Sequence, residues 1–188
     1  MSRSSASVGK ASVGKASVGK PLPRVDPQAR VALPTRVYAA FLGTPIGRWT
    51  AINVAPRVDP LLLRTTGGRI GMGLMLPSAL LTTTGAKSGL PRTSTVLYFH
   101  DGDDVVLVAS NFGRDAHPSW YYNLRAHPRV RIGKDGDGAE WLAAEVTAAD
   151  ERRRLWDSAD RVYPGYADYR LRSAQVGRTI PLIRLRPA

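Results

Sequence analysis

The sequence predicts an α+β fold in which a set of short strands closes around isolated helices like a barrel. Two observations carry this. Between Ala79 and Val146, apolar and β-branched runs recur with turn residues between them, the pattern of antiparallel strands. Helical periodicity, by contrast, appears only in separated segments and never alternates regularly with strands, which argues against a doubly wound parallel sheet. A chain of 188 residues fits one domain of this size preceded by a tail.

The first 34 residues read as a disordered basic tail, and 35–188 as the folded domain. Ala-Ser-Val-Gly-Lys occurs in tandem as Ala6–Lys10, Ala11–Lys15 and Ala16–Lys20. A five-residue repeat matches neither the helical nor the strand period and offers too little apolar surface to offset its ordering entropy. Pro21, Pro23, Pro27 and Pro34 extend the irregular stretch. Order is expected from Thr35, where Tyr38, Phe41 and Leu42, then Ile46, Trp49 and Ile52, have helical spacing broken by Gly43 and Pro45. The glycines between Gly67 and Gly73 interrupt regular structure.

Leu80–Thr84 is the first strand. Thr93–His100 and Asp104–Ser110 flank Asp101-Gly102-Asp103, a hairpin signal. His117-Pro118 opens a short helix with Pro118 at its first position, Trp120 and Leu124 on one face and Pro128 closing it. Val130–Ile132 and Glu140–Val146 are strands joined by a Lys134–Gly138 turn. Thr147 with Asp150 reads as a capping box for a helix that turns Leu155, Trp156, Ala159 and Val162 inward. Thr179–Arg186 is the last strand, placed at an edge because Pro181 cannot donate to a ladder.

The formal charge is +12, which favours anionic partners. Residues 1–36 hold seven cations against Asp26 alone, so half of the excess lies in a fifth of the chain. No basic–aromatic interleaving marks a nucleic-acid surface, and no specific nucleic-acid partner is expected. The absence of cysteine excludes disulfides, thiolate metal sites and cysteine nucleophiles and suits a cytoplasmic protein. His100, His117 and His127 lack ligand spacing, so no metal is expected.

Three segments could carry chemistry. Gly85-Ala86-Lys87-Ser88-Gly89-Leu90-Pro91-Arg92 follows a strand end. It is either a solvated polar turn or an anion site, in which amides, Lys87 and Arg92 would meet phosphate or carboxylate. Ala109-Ser110-Asn111 leads through a glycine turn to the helix of Trp120. It is either turn chemistry beside a core tryptophan or a seat for a polar heterocycle. Tyr163, Tyr166 and Tyr169 recur every third residue, as core packing or as the phenolic wall of an apolar pocket.

Together, "LLTTTGAKSGLPR", "VASNFGRDAHPSWYYNLRAHP" and the tyrosine triplet resemble the deazaflavin-dependent nitroreductase family of actinobacteria, from about Arg36 to Pro187. The resemblance implies a split β-barrel akin to FMN-binding oxidoreductases, with coenzyme F420 in place of a flavin. It implies that Lys87, Ser88, Gly89 and Arg92 hold the coenzyme's acidic end. Ala109, Ser110 and Asn111 would face its ring, with Ser110 donating a hydrogen bond, and Trp120 would border it. Tyr163, Tyr166 and Tyr169 would line the substrate side, with Tyr166 hydrogen-bonding or protonating the oxyanion of a quinone, enone or nitroaromatic that receives a hydride. The sequence departs from the family pattern at Ala86 and Asn111, where relatives often carry a cation. A binding protein without turnover and an FMN- or haem-binding barrel are the alternatives. A quinone acceptor together with a cationic tail implies weak peripheral contact with an anionic membrane.

Overall fold

A computed structural model describes residues 22–29, 37–38, 40–42, 44–54, 57–58, 61, 65, 76–134 and 138–188. The expectations for the Ala-Ser-Val-Gly-Lys repeats, the Gly67–Gly73 stretch and much of the turn before Gly138 lie outside the described residues.

Six strands form a closed antiparallel barrel. In chain order they are β1 (Ser78–Thr84), β2 (Pro91–Asp101), β3 (Asp104–Val108), β4 (Arg129–Gly133), β5 (Ala139–Glu145) and β6 (Leu182–Pro187). Around the barrel the order is β1-β2-β3-β6-β5-β4. Among the described residues, the helices α1 (Pro45–Asn53), α2 (Ser119–Ala126), α3 (Ala149–Val162) and α4 (Tyr166–Gln175) accompany it.

Strand alternation builds two cores. On β3, Val105 and Leu107 point into the barrel with Leu81, Tyr98, Ile132, Ile183 and Leu185. Val106 and Val108 point outward, where Leu155, Ala159 and Val162 of α3 cover them together with Phe99 and Leu182. A period of two on one strand thus serves two apolar layers.

Three expectations need correction. The last strand is not at an edge: β6 pairs with β3 through Val108↔Leu182 and with β5 through Glu145↔Ile183. Pro181 sits just before the strand, so its missing N–H costs no ladder bond, and its carbonyl accepts from Ala109 N at 3.0 Å. Closure also removes the unpaired edges that would invite aggregation. The Thr147–Asp150 capping box does not form. The N-cap of α3 is Ala148, without a side-chain cap, and Asp150 instead accepts from Arg153 at 3.0 Å. Pro118 is the N-cap of α2 rather than its first residue.

The described part of the proline-rich stretch, 22–29, lies against the barrel. Leu22 and Val25 pack on the interior core. Tyr98 Oη donates to Pro23 O at 2.9 Å, and Val25 N to His100 Nδ1 at 3.1 Å. At this same end a cleft of about 410 Å³ is lined by Arg24, Gln28, His100, Arg154 and Arg161 among others. None of the predicted coenzyme or substrate residues borders it. On α1, Ile46 and Trp49 are exposed.

Candidate functional site

The antiparallel register brings the β1–β2 turn and the Ala109–Asn111 strand end to one end of the barrel, opposite that cleft. β1 runs toward this end and β2 away from it, so the turn between Thr84 and Pro91 caps it. β3 arrives here at Val108 and β6 departs here at Leu182. Lys87 and Ser110, 23 positions apart in sequence, therefore lie at the same end.

The β1–β2 turn is tight. Gly85 N donates to Leu90 O at 2.9 Å and Gly89 N to Gly85 O at 2.8 Å. A Cβ on Gly85 would lie 2.6 Å from Ser88 Oγ and 3.2 Å from Leu90 O, so a side chain there would displace the Ser88 hydroxyl and crowd the Leu90 carbonyl. Gly89 has φ +66°. Ser88 Oγ accepts from Leu90 N at 3.3 Å. Lys87 and Arg92 are exposed, and no carboxylate pairs with either among the described residues. Two exposed cations without a carboxylate partner among the described residues form an anion-attracting surface on this turn.

Asn123, which sequence reasoning missed, ties this turn to α2. Its amide accepts from Ala86 N at 3.0 Å and donates to Thr83 Oγ1 at 3.0 Å. Position 86 thus contributes its backbone N–H to the helix link. No local signal marks Asn123, because its partners lie 37 and 40 positions away.

Beyond β3 the backbone turns left-handed at three residues in succession: Asn111 (φ 46°), Phe112 (φ 58°) and Gly113 (φ 75°). Such conformations cost roughly 1–3 kcal/mol per non-glycine residue and persist where surroundings enforce them. Asparagine tolerates this region better than lysine does, which gives Asn111 a conformational reason. Asn111 Nδ2 also donates to Ala116 O at 2.8 Å. Ser110 is half-buried, and its hydroxyl has no partner among the described residues.

Gly113 lets α4 sit on this turn. A Cβ there would lie 2.9 Å from Tyr169 O and 3.0 Å from Tyr169 Cα. Gly113→Ala is expected to lose about 2–3 kcal/mol of stability, combining left-handed strain with displacement of the helix. Gly102 has φ +65° but open space around it, so Gly102→Ala should lose only about 1 kcal/mol. Parallel thermal unfolding of the two variants checks the difference.

Tyr163, Tyr166 and Tyr169 pack against one another. All three are buried, with Tyr163 Oη and Tyr169 Oη 3.0 Å apart and ring centroids 5.1–6.2 Å from one another. Phe112 meets Tyr169 edge-on at 5.9 Å, joining the cluster to the left-handed turn. Burial pushes the Tyr166 phenol far above its ordinary pKa, with Tyr163 and Asp160 acting in the same direction. The Tyr163 phenol is raised first by burial and then by Tyr169. Both stay protonated at any working pH. Trp120 is 7% exposed and packs in the interior core beside Ala109 and Leu81.

Known proteins are similar to this chain in sequence and in fold. The family model described as F420H(2)-dependent quinone reductase matches residues 55–187. An F420H(2)-dependent quinone reductase of Mycobacterium tuberculosis is 36% identical over 151 residues, covering 74% of this chain and 97% of the relative. Among solved structures, an F420-H2 dependent reductase is 36% identical with a TM-score of 0.50, covering 58% of this chain and 94% of that one. Another, described as a domain-swapped dimer, is 37% identical with a TM-score of 0.51, covering 58% and 80%.

Proposed function

Because the chain belongs to the F420H(2)-dependent quinone reductase family, and is therefore an oxidoreductase served by coenzyme F420, we propose that it reduces a quinone-type acceptor at the barrel end formed by the β1–β2 turn, the Ala109–Asn111 strand end and α4. What supports this reading is that a cationic turn without a carboxylate partner among the described residues and the half-buried Ser110 lie at one barrel end, and that Phe112 joins the Ser110 turn to a buried cluster of protonated tyrosines.

The residues fit an acidic tricyclic coenzyme. Lys87 and Arg92 match a phosphate and a carboxylate-bearing tail, and Ser88 and Gly89 shape the turn that presents them. Ala109, Ser110 and Asn111 offer a narrow strand terminus against which a ring can lie, with the Ser110 hydroxyl available to it. Trp120 backs this strand end from inside the barrel. When bound, the reduced coenzyme supplies a hydride from its deazaflavin carbon. The chain positions donor and acceptor and excludes water. Tyr166 serves as hydrogen-bond donor to the oxygen of the acceptor, where negative charge develops. Its high pKa makes it a donor rather than a base, and a proton passes from its hydroxyl only to an oxyanion of comparable basicity. Tyr163 and Tyr169 hold it in place and wall the acceptor side.

Quinones, enones and nitroaromatics share the feature that this donor recognises, an oxygen that gains charge as hydride arrives. The described residues contain no helix long and apolar enough to cross a membrane. Contact with an anionic bilayer would rest on the tail's cations, each worth about 1 kcal/mol near such a surface.

Tyr166→Phe should lower kcat with menadione about tenfold, the value of one hydrogen bond to developing charge, and leave coenzyme affinity unchanged. Stopped-flow oxidation of the reduced coenzyme measures it. Because the phenol stays protonated, the wild-type rate should show no tyrosine ionisation below about pH 10. Binding of the reduced coenzyme without turnover by any quinone, enone or nitroaromatic would leave a carrier in place of the enzyme.

A further inference from the structure

Arg178, on the loop between α4 and β6, is a buried cation with no ion-pair partner among the described residues, although the charge of Asp115 acts on it. The residue is 8% exposed. Its guanidinium donates to Arg114 O at 2.7 Å, Ala109 O at 3.3 Å, Ser173 Oγ at 2.8 Å and Ser110 O, and it meets His117 Nδ1 at 3.1 Å. None of these five partners is charged, and no carboxylate pairs with Arg178 among the described residues. A charge held this way is expensive to bury, so stability alone does not account for Arg178.

The acceptors supply that use. Ala109 and Ser110 precede the left-handed turn, Arg114 follows it, and Ser173 belongs to α4. The planar fork thus bridges the two ends of a turn whose conformation is intrinsically unfavourable and ties it to the helix bearing Tyr166 and Tyr169. A lysine ammonium, a single centre with three donors, cannot span five acceptors. The contact with His117 has a further consequence. A guanidinium can only donate, so Nδ1 accepts and the ring proton resides on Nε2. Burial, and then the charge of Arg178, hold the His117 pKa below its ordinary value. The ring is further fixed by Tyr121 and Tyr122, at centroid distances of 4.7 and 5.9 Å.

We propose that Arg178 is a positioning residue for hydride transfer: its guanidinium locks the Ser110 strand end, the left-handed turn, the tyrosine helix and the Nε2–H tautomer of His117 into one geometry. This rests on the reading that the coenzyme ring lies along Ala109–Asn111.

The test compares Arg178→Lys with Arg92→Ala, following thermal unfolding, coenzyme F420 titration, kcat and KM with menadione, and the ring-nitrogen NMR signals of His117. Folded R178K should lose about 30-fold in kcat with KM and coenzyme affinity changed less than threefold, and His117 should titrate closer to an ordinary imidazole. R92A should show the opposite split, weaker coenzyme binding with little loss of kcat at saturation. Unchanged kcat in R178K, while R92A weakens binding, overturns the positioning role and leaves the site reading intact. If R92A binds the coenzyme as wild type does, both fall. Should R178K not fold, wild-type NMR decides: a pyridine-type Nδ1 on His117, and titration below the ordinary imidazole value, support the geometry. An Nδ1–H tautomer refutes it.

Discussion

Replacing Lys87 and Arg92 together by alanine should weaken coenzyme F420 binding about 100-fold, and each alone about tenfold. A charge-assisted hydrogen bond to phosphate or carboxylate contributes roughly 1.5 kcal/mol, equal to about a factor of ten. Neither side chain has an ion-pair partner among the described residues that would have to be released first, so the full contact energy is available to the ligand. Both are exposed, and salt should therefore erode the difference: screening acts over about 8 Å at physiological ionic strength, and the wild-type advantage should shrink several-fold between 50 mM and 500 mM salt. Folding should not change, since neither side chain holds another element. Fluorescence titration of the coenzyme against wild type, the single variants and the double variant at two salt concentrations measures all of this. A salt-independent affinity, or a double variant that binds as wild type does, would place the acidic end of the coenzyme elsewhere.

The cationic turn was legible in the sequence because its chemistry is local. Glycines, a lysine and an arginine within eight residues suffice to mark it, and the tyrosine triplet shows in its spacing. The hairpin at Asp101–Asp103 was readable for the same reason. What failed, or was missed, depends on partners distant in sequence. Pro181 suggested an edge strand, yet β6 begins one residue later and is paired on both sides. Thr147 and Asp150 have capping-box spacing, but the helix starts at Ala149 and Asp150 turns to Arg153. Asn123 reaches across 40 positions to Thr83, and Arg178 across 64 to Arg114. Nothing in the neighbourhood of either residue distinguishes it from a surface polar side chain. Tertiary hydrogen bonds of this kind assemble the site but leave no periodic trace.

The same holds for the charge that stabilises the far side of the barrel, where the second large effect is expected. Arg184 on β6 has a side chain only 10% exposed and bonds three carboxylates: Asp104 at 2.7 Å, Asp101 at 2.6 Å and Glu151. Burial opposes its charge, but these bonds outweigh that and raise its pKa. Arg184→Met should therefore cost about 3–5 kcal/mol at neutral pH, the usual result of removing one side of a buried ionic network. That is a large part of a typical domain's stability and should lower Tm by roughly 10–15 °C for a domain of this size. The variant would leave Asp101 with Arg154 and Asp104 with the distant Arg186 at 3.6 Å, while Glu151 would face both acids uncompensated.

The pH dependence makes the cause identifiable. Hydrogen bonding from Arg154, and to a lesser degree from Arg184, lowers the Asp101 pKa to about 2 against the pull of burial. A depressed carboxylate stabilises the fold above its unfolded pKa and loses that contribution as pH falls through the folded one. With Asp101 lying partly in solvent, this amounts to about 1–2 kcal/mol in the wild type, lost between about pH 4 and pH 2. In Arg184→Met the clustered carboxylates repel, and protonating them relieves the strain. The gap between variant and wild type should therefore narrow as pH falls from 7 toward 3. A gap of constant size would mean that Arg184 acts through the packing of its aliphatic stem rather than through its charge. Urea unfolding of both proteins at pH 7, 5 and 3.5 distinguishes the two.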